Sequence, residues 1–198
     1  MHPPVDRRAR RRSLFDLAAG QGGNFTAAQA RHLGYSYQAQ AHHVAAGNWL
    51  RAGRGLFQLA EWPPGPHDDL ARWALWSKGR AVVSHASALA VHDLGEFESG
   101  ATHLTVPTGF TMRDHAVVLH VDDLPDAHVV DLGGFRATTP VRSLADVAAI
   151  ADEDQLARAI DEATRRGLMT LAQLRMTAEA VDLAGALRIE RAIQALAR

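Results

Sequence analysis

The hydrophobic pattern of residues 25–59 is interrupted twice, at Gly34 between two helical runs and at Gly47 where a helical period gives way to an extended one. The run from Phe25-Thr26-Ala27-Ala28 through Gln29-Ala30-Arg31-His32 to Leu33-Gly34 opens on an N-cap type and closes on a residue suited to a helix C′ position. Phe25, Ala28 and Leu33 give this first helix its apolar face. Ser36 offers a second N-cap, a helix over 37–46 follows, and Gly47 ends it. Beyond Gly47 the spacing is extended: Trp49-Leu50-Arg51-Ala52, a tip Gly53-Arg54-Gly55, then Leu56-Phe57-Gln58-Leu59, the pattern of a β-hairpin. Helix, short glycine-containing turn, helix and hairpin in this order predict a winged helix-turn-helix.

In such a fold the second helix is the candidate reader of DNA. At about 100° per residue, Tyr37, Ala41 and Val44 share one face and are expected to pack inward, with Gln40 at its edge. Gln38 and His42 lie one turn apart on the outer face, flanked by Ser36 and His43. These four are the candidate contacts to base edges or phosphates in a major groove. Ordinary solvated side chains on a surface helix are the alternative for each of them. Arg51 and Arg54, on the hairpin, are the candidate contacts to phosphates or a minor groove, where a guanidinium suits both charge and geometry. Trp49 and Phe57 are expected in the core.

Charge distribution agrees with this division of labour. The whole chain carries a formal net charge of −1, which is uninformative. Residues 1–60 hold eight arginines against Asp6 and Asp16, a net of +6, and the remainder holds 13 basic against 20 acidic residues, a net of −7. Such asymmetry points to one nucleic-acid-facing module and one with another task. The run Arg7-Arg8-Ala9-Arg10-Arg11-Arg12 reads either as a flexible arm adding affinity by counterion release or as a solvated terminus.

The segment 61–66, Glu61-Trp62-Pro63-Pro64-Gly65-Pro66, breaks both periods and is expected to be a stiff linker between a basic-armed DNA-binding domain at 1–60 and a second domain at 67–198. In that second domain a helix is expected at 68–77, a short apolar run at 82–83, and a Ser84-capped helix to Gly95. β-like runs follow at 102–106, 116–121, 128–132 and 135–138. From Pro140 the pattern is helical over 141–150, 152–166 with Gly167 as its stop, 171–180 and 184–197. The expected fold class is therefore α+β, a winged helix-turn-helix followed by a mixed α/β domain with a helical C-terminal part.

Chains of 198 residues with 47% hydrophobic content bury a core of their own. No apolar run of membrane-spanning length and no signal-peptide pattern is found, and cysteine is absent, so a cytoplasmic protein with no membrane partner, disulfide or thiolate site is expected.

Several segments together resemble the AbiEi-type antitoxins. The first is the N-terminal run with Phe25-Thr26, Gln29-Ala30, Gly34, Gly47-Asn48-Trp49-Leu50-Arg51 and Arg54-Gly55-Leu56-Phe57. Three more follow: Val83-Ser84-His85-Ala86-Ser87-Ala88, then His103-Leu104-Thr105-Val106-Pro107, then Thr138-Thr139-Pro140-Val141-Arg142-Ser143-Leu144-Ala145-Asp146. The similarity runs over roughly residues 20–180, carried by the order and spacing of these segments. It implies the antitoxin of a type IV toxin-antitoxin operon, a repressor that binds inverted repeats in double-stranded DNA upstream of its own operon and counters a nucleotidyltransferase-like toxin. By position it places readers on residues 36–43 and wing contacts at Arg51 and Arg54, and it assigns no toxin-contacting residue. A monomer or weak dimer, pairing on DNA, is expected. The alternative is a winged-helix adaptor or general regulator without antitoxin activity.

Enzyme readings find little support. A metal-dependent nuclease needs an acidic pair with a nearby lysine, and Lys78 is the only lysine, with no Glu-x-Lys around it. Arg142 and Asp146, one turn apart, read as an ion pair at a helix start. Eleven histidines invite a metal, but their spacing matches no familiar ligand set. Ser84, His85 and Ser87 lack a nucleophile-elbow pattern, and capping accounts for Ser84. Residues 20–23 lack the lysine of a phosphate-binding loop. No catalytic residue, cofactor or metal is expected.

Overall fold

The computed structural model describes residues 7–97 and 100–196; the expected helix end at Ala197 lies outside them. The chain divides into two units, one running through Arg80 and joined by Leu132–Phe135, the other comprising Ala81–Asp131 and the chain from Arg136 onward. Both contain helices and sheet, so the mixed α+β class holds.

The first unit opens with a helix where an arm or a loose terminus was expected: α1 spans Arg7–Ala19 and includes the whole arginine run. Leu14 and Ala18, four apart, are its buried residues, and Leu17 packs beside them, so the i, i+3, i+4 spacing that orders this segment sits just past the arginines. Strand β1 (Asn24–Thr26) leads into α2 (Ala27–His32), α3 (Tyr37–Ala45), β2 (Trp49–Gly53) and β3 (Leu56–Leu59). The sheet order is β1-β3-β2, antiparallel throughout, so the expected hairpin gains a third strand. Ala52 bulges out between the pairs Arg51↔Phe57 and Gly53↔Leu56, and Gly55 at the tip takes φ +68, which glycine adopts without a Cβ penalty. Phe25, fully buried, meets Trp49 edge-on at 4.8 Å and Phe57 at 5.8 Å, closing the core as the sequence predicts for Trp49 and Phe57.

Helix α4 (Asp68–Trp76) also packs in this unit, beyond the prolines expected to end it. Its Ala71 and Trp73 are buried, and Asn24 Nδ2 donates to the Asp68 carbonyl at 3.1 Å, tying the helix to β1. Prolines make residues 61–66 irregular but set no limit on packing; the apolar face of α4 decides that.

The second unit holds a five-stranded mixed sheet in the order β6-β5-β4-β8-β7, formed by β4 (Val82–Val83), β5 (Thr102–Val106), β6 (Val117–Val121), β7 (Val129–Asp131) and β8 (Arg136–Thr138). Its helices are α5 (His85–Val91), α6 (Pro140–Val147), α7 (Glu153–Arg165), α8 (Leu171–Val181) and α9 (Leu183–Leu196). Leu89, Leu144, Leu156, Ile160, Leu174 and Ile189 from these five helices are fully buried in one cluster. Caps sit where polar residues precede the apolar runs: Thr139 accepts from the Arg142 amide, Asp152 from Asp154 and Gln155, and Thr170 forms a capping box with Gln173. At α5 the expected cap is absent, since Ser84 Oγ makes no cap hydrogen bond and meets His85 Nδ1 at 3.0 Å.

Candidate nucleic-acid interface

Two capped helices and a tight turn build the surface. Thr26 Oγ1 accepts from the Gln29 amide at 3.1 Å while Gln29 Oε1 accepts from the Thr26 amide at 2.7 Å, a reciprocal box that starts α2. Gly34, at φ +88, reverses the chain, and Ser36 Oγ accepts from the Ala39 amide at 3.2 Å to start α3.

The orientation of α3 differs from the expectation. Tyr37 is 64% exposed and Ala41 is exposed, whereas Gln40 is 3% exposed. Gln40 Nε2 donates to the carbonyls of Ala27 and Tyr35 at 3.1 and 3.0 Å and so clamps α3 onto α2. A buried amide whose donors meet backbone carbonyls replaces the apolar contact that Tyr37 was assigned. Gln40→Ala is expected to cost about 1–3 kcal/mol by leaving those carbonyls without their partner. Urea midpoints of the wild type and of Gln40→Ala check this; equal midpoints contradict the clamp.

Of the sequence-predicted site residues, Gln38 and His42 are exposed on the outer edge of α3. Ser36 is exposed, but its hydroxyl oxygen is engaged as the cap. His43 turns the other way: it is partly buried, stacks on Trp49 at 4.7 Å with planes 11° apart, and desolvation holds its pKa below the usual value. Arg51 is exposed on β2 with its guanidinium 5.7 Å from the Phe57 ring centre, and Arg54 is exposed at the hairpin tip. Sequence reading missed an exposed pair, Arg31 and Tyr37, whose guanidinium lies 5.0 Å over the ring with Nη1 donating to Tyr37 Oη at 3.3 Å. The turn between α2 and α3 brings them together, so helical spacing within either segment gives no sign of it.

Two of the α1 arginines serve the fold. Arg10 Nη1 donates to the Gly34 carbonyl at 3.0 Å and lies 4.6 Å over the Tyr35 ring, bracing the turn, and Arg11 pairs with Glu61 at 2.9 Å. Arg7 and Arg12 are exposed.

The second unit contains a separate polar cluster. Arg142 Nε donates to Asp146 Oδ1 at 2.7 Å, Arg142 also pairs with Asp122, and its side chain and that of Asp146 are 7% and 3% exposed. Burial pushes the Asp146 carboxyl up to about 6 against the pull of Arg142, so it remains ionised at neutral pH. For Arg142, burial alone would lower the pKa, and its hydrogen bonds to Asp122 and Asp146 outweigh that and raise it. His85, His103 and His120 gather beside this pair, all with pKa values lowered by burial, His85 to about 3. Ser84 and Asp146 both address His85 through Nδ1, so the three are not in series as an acyl-transfer relay requires.

Residues 12–60 match the family described as transcriptional regulator, AbiEi antitoxin, which is a regulator and antitoxin family and not an enzyme class. No curated protein matches the sequence at a significant level. Among solved structures, the RV2827C protein from Mycobacterium tuberculosis shares the fold, with a TM-score of 0.65 at 13% identity over 96% of this chain and 78% of that one. Among the described residues no helix is long and apolar enough to cross a membrane. Over residues 12–60, then, this chain is similar to the AbiEi antitoxin family of transcriptional regulators.

Proposed function

We propose that this protein is a DNA-binding repressor and the antitoxin of a type IV toxin-antitoxin operon, with α3 in a major groove and the β2–β3 hairpin as the wing of a winged helix-turn-helix. The observation that carries this reading is the exposed edge of Gln38 and His42 on α3 beside exposed Arg51 and Arg54, inside the segment that matches the antitoxin family. Gln38 is the adenine-reading candidate, since an amide pairs bidentately with adenine. His42 contacts a base edge or phosphate one turn on, the exposed pair of Arg31 and Tyr37 adds to the surface, and Ser36 contributes through its backbone-capping position. Arg51 and Arg54 neutralise phosphates. His43 supports the hairpin through Trp49 and does not reach DNA directly. Inverted half-sites upstream of the protein's own operon are the target, a nucleotidyltransferase-like toxin encoded beside it is the functional partner, and the cytoplasm is the compartment.

Binding of the purified chain to a fluorescent duplex from its own upstream region tests the regulatory half. Affinity above that for random duplex, falling with salt, supports it; equal affinities at moderate salt sink it. Arg54→Ala is expected to weaken both duplexes alike and to lower the salt slope by about 1, whereas Gln38→Ala mainly reduces discrimination, by about 1–3 kcal/mol. Co-expression with the neighbouring toxin tests the other half, through restored growth.

A further inference from the structure

We propose that His85, His103 and His120 form a binding site for a divalent transition-metal ion, zinc(II) foremost, that joins the start of α5 to strands β5 and β6. Each of the three offers a ring nitrogen within 4.8 Å of those of the other two. Register explains the convergence. Strands β5 and β6 are parallel, with His103 opposite Val118 and Thr105 opposite His120, so His103 and His120 fall on one face, one pleat apart. Their Nδ1 and Nε2 atoms lie 2.9 Å apart. The third ring comes from the first residue of α5, whose Ser87 Oγ accepts from the His103 amide at 2.9 Å and pins the helix start to β5.

Two further observations point to a ligand. His85 holds φ +55, a left-handed backbone that a non-glycine residue keeps only where its surroundings impose it, and such residues concentrate at functional sites. Asp146 Oδ2 is buried without a hydrogen-bond partner and lies 3.9 Å from His85 Nδ1. A proton on His85 Nδ1 serves Ser84 Oγ and leaves the Nε2 lone pair for a metal, and Asp146 stands close enough to become the outer carboxylate that orients the ring once the ring turns.

The donor set selects the metal class. Imidazoles alone suit zinc, nickel and copper(II) and exclude the oxygen-ligated magnesium and calcium; zinc has no geometric demand of its own and accepts three histidines with a fourth position for water or another ligand. All three residues keep partial exposure, which admits that fourth ligand. Two nitrogens on one zinc sit about 3.3 Å apart at metal–nitrogen bonds of about 2.0–2.1 Å, so uptake replaces the hydrogen between His103 and His120 and shifts its proton to the far nitrogen of the same ring. His85 and His120 stack with centres 3.5 Å apart, an arrangement that presents nitrogens side by side, so the His85 ring turns about its soft terminal torsion on binding.

Tag-free protein stripped of metal and titrated with zinc chloride tests the site. One equivalent taken up per chain supports it, and no stoichiometric uptake overturns it. His103→Asn and His120→Asn are each expected to weaken that uptake by at least the roughly 10–100-fold that losing even an outer-shell partner costs. His115→Asn, on a fully exposed side chain, should leave uptake unchanged. Unaltered affinity in the first two variants overturns the assignment. Histidine-ring NMR of the wild-type chain serves independently of whether variants fold: zinc should shift three of the eleven rings, and shifts confined to others place the metal elsewhere.

Discussion

Arg142→Ala is expected to destabilise the second unit by about 3–5 kcal/mol at neutral pH, because it strips the buried Asp146 carboxyl of its cation and forces it either to stay charged and unpaired or to take up a proton. Asp146 is 3% exposed and its Oδ2 is already without a hydrogen bond, so little in its surroundings can take over. The deficit should depend on pH. Burial raises the folded-state carboxyl to about 6 from 3.8, and loss of the guanidinium raises it further. A carboxyl with a raised folded pKa favours the fold at low pH, and that contribution is lost as pH rises through the folded value. The gap between Arg142→Ala and wild type should therefore be wider at pH 8 than at pH 5, where Asp146 is protonated in both. Urea midpoints at the two pH values measure it, and a gap independent of pH would falsify the account. The pair Arg142→Met with Asp146→Leu should recover much of the loss, since two apolar groups need no mutual neutralisation.

Phe25→Ala is expected to cost about 3–5 kcal/mol in the first unit, the usual penalty for truncating a fully buried phenylalanine. Phe25 is fully buried between Trp49 and Phe57, which come from the two strands of the hairpin, and it sits beside the cap that starts α2. A void there loosens both parts of the proposed DNA surface. With a native stability of about 5–15 kcal/mol, such a loss is a large fraction of the whole. The thermal midpoint should fall by more than about 10 °C and affinity for the upstream duplex should drop with it, while Phe25→Leu retains most of both. A midpoint close to wild type with unchanged DNA binding would show that the ring is not central to the core.

Helices α2 and α3, the glycine turn between them and the β2–β3 hairpin were legible because their signals are local. Thr26, Ser36 and Gly34 act on backbone groups within a few residues, and each does in the structure what its type predicts. Helix α1 was hidden by its arginines, five charged residues preceding a short apolar spacing. The facing of α3 was hidden for another reason: apolar counting assigns Tyr37 inward, but Gln40 satisfies two carbonyls that only the folded turn brings within reach. His43 was placed on the outer face because angle alone cannot see Trp49, which stacks on it from β2.

The histidines show the limit most plainly. His85, His103 and His120 are 18 and 17 residues apart, separations that match no local ligand spacing, and the reading of no metal site followed from that. Strand register and the packing of α5 put them together, and neither is encoded in a short window.

By itself, then, the sequence determined the caps, turns and alternating runs that create a basic helical and hairpin module, the arginines along it, and the ion pair of Arg142 with Asp146 one turn away, all interactions spanning a few residues. Tertiary structure alone decided which side of α3 faces outward, that α4 completes the first unit, and that three distant histidines share one place. Those outcomes depend on long-range burial and strand pairing, whose energies are shared among residues far apart in the chain.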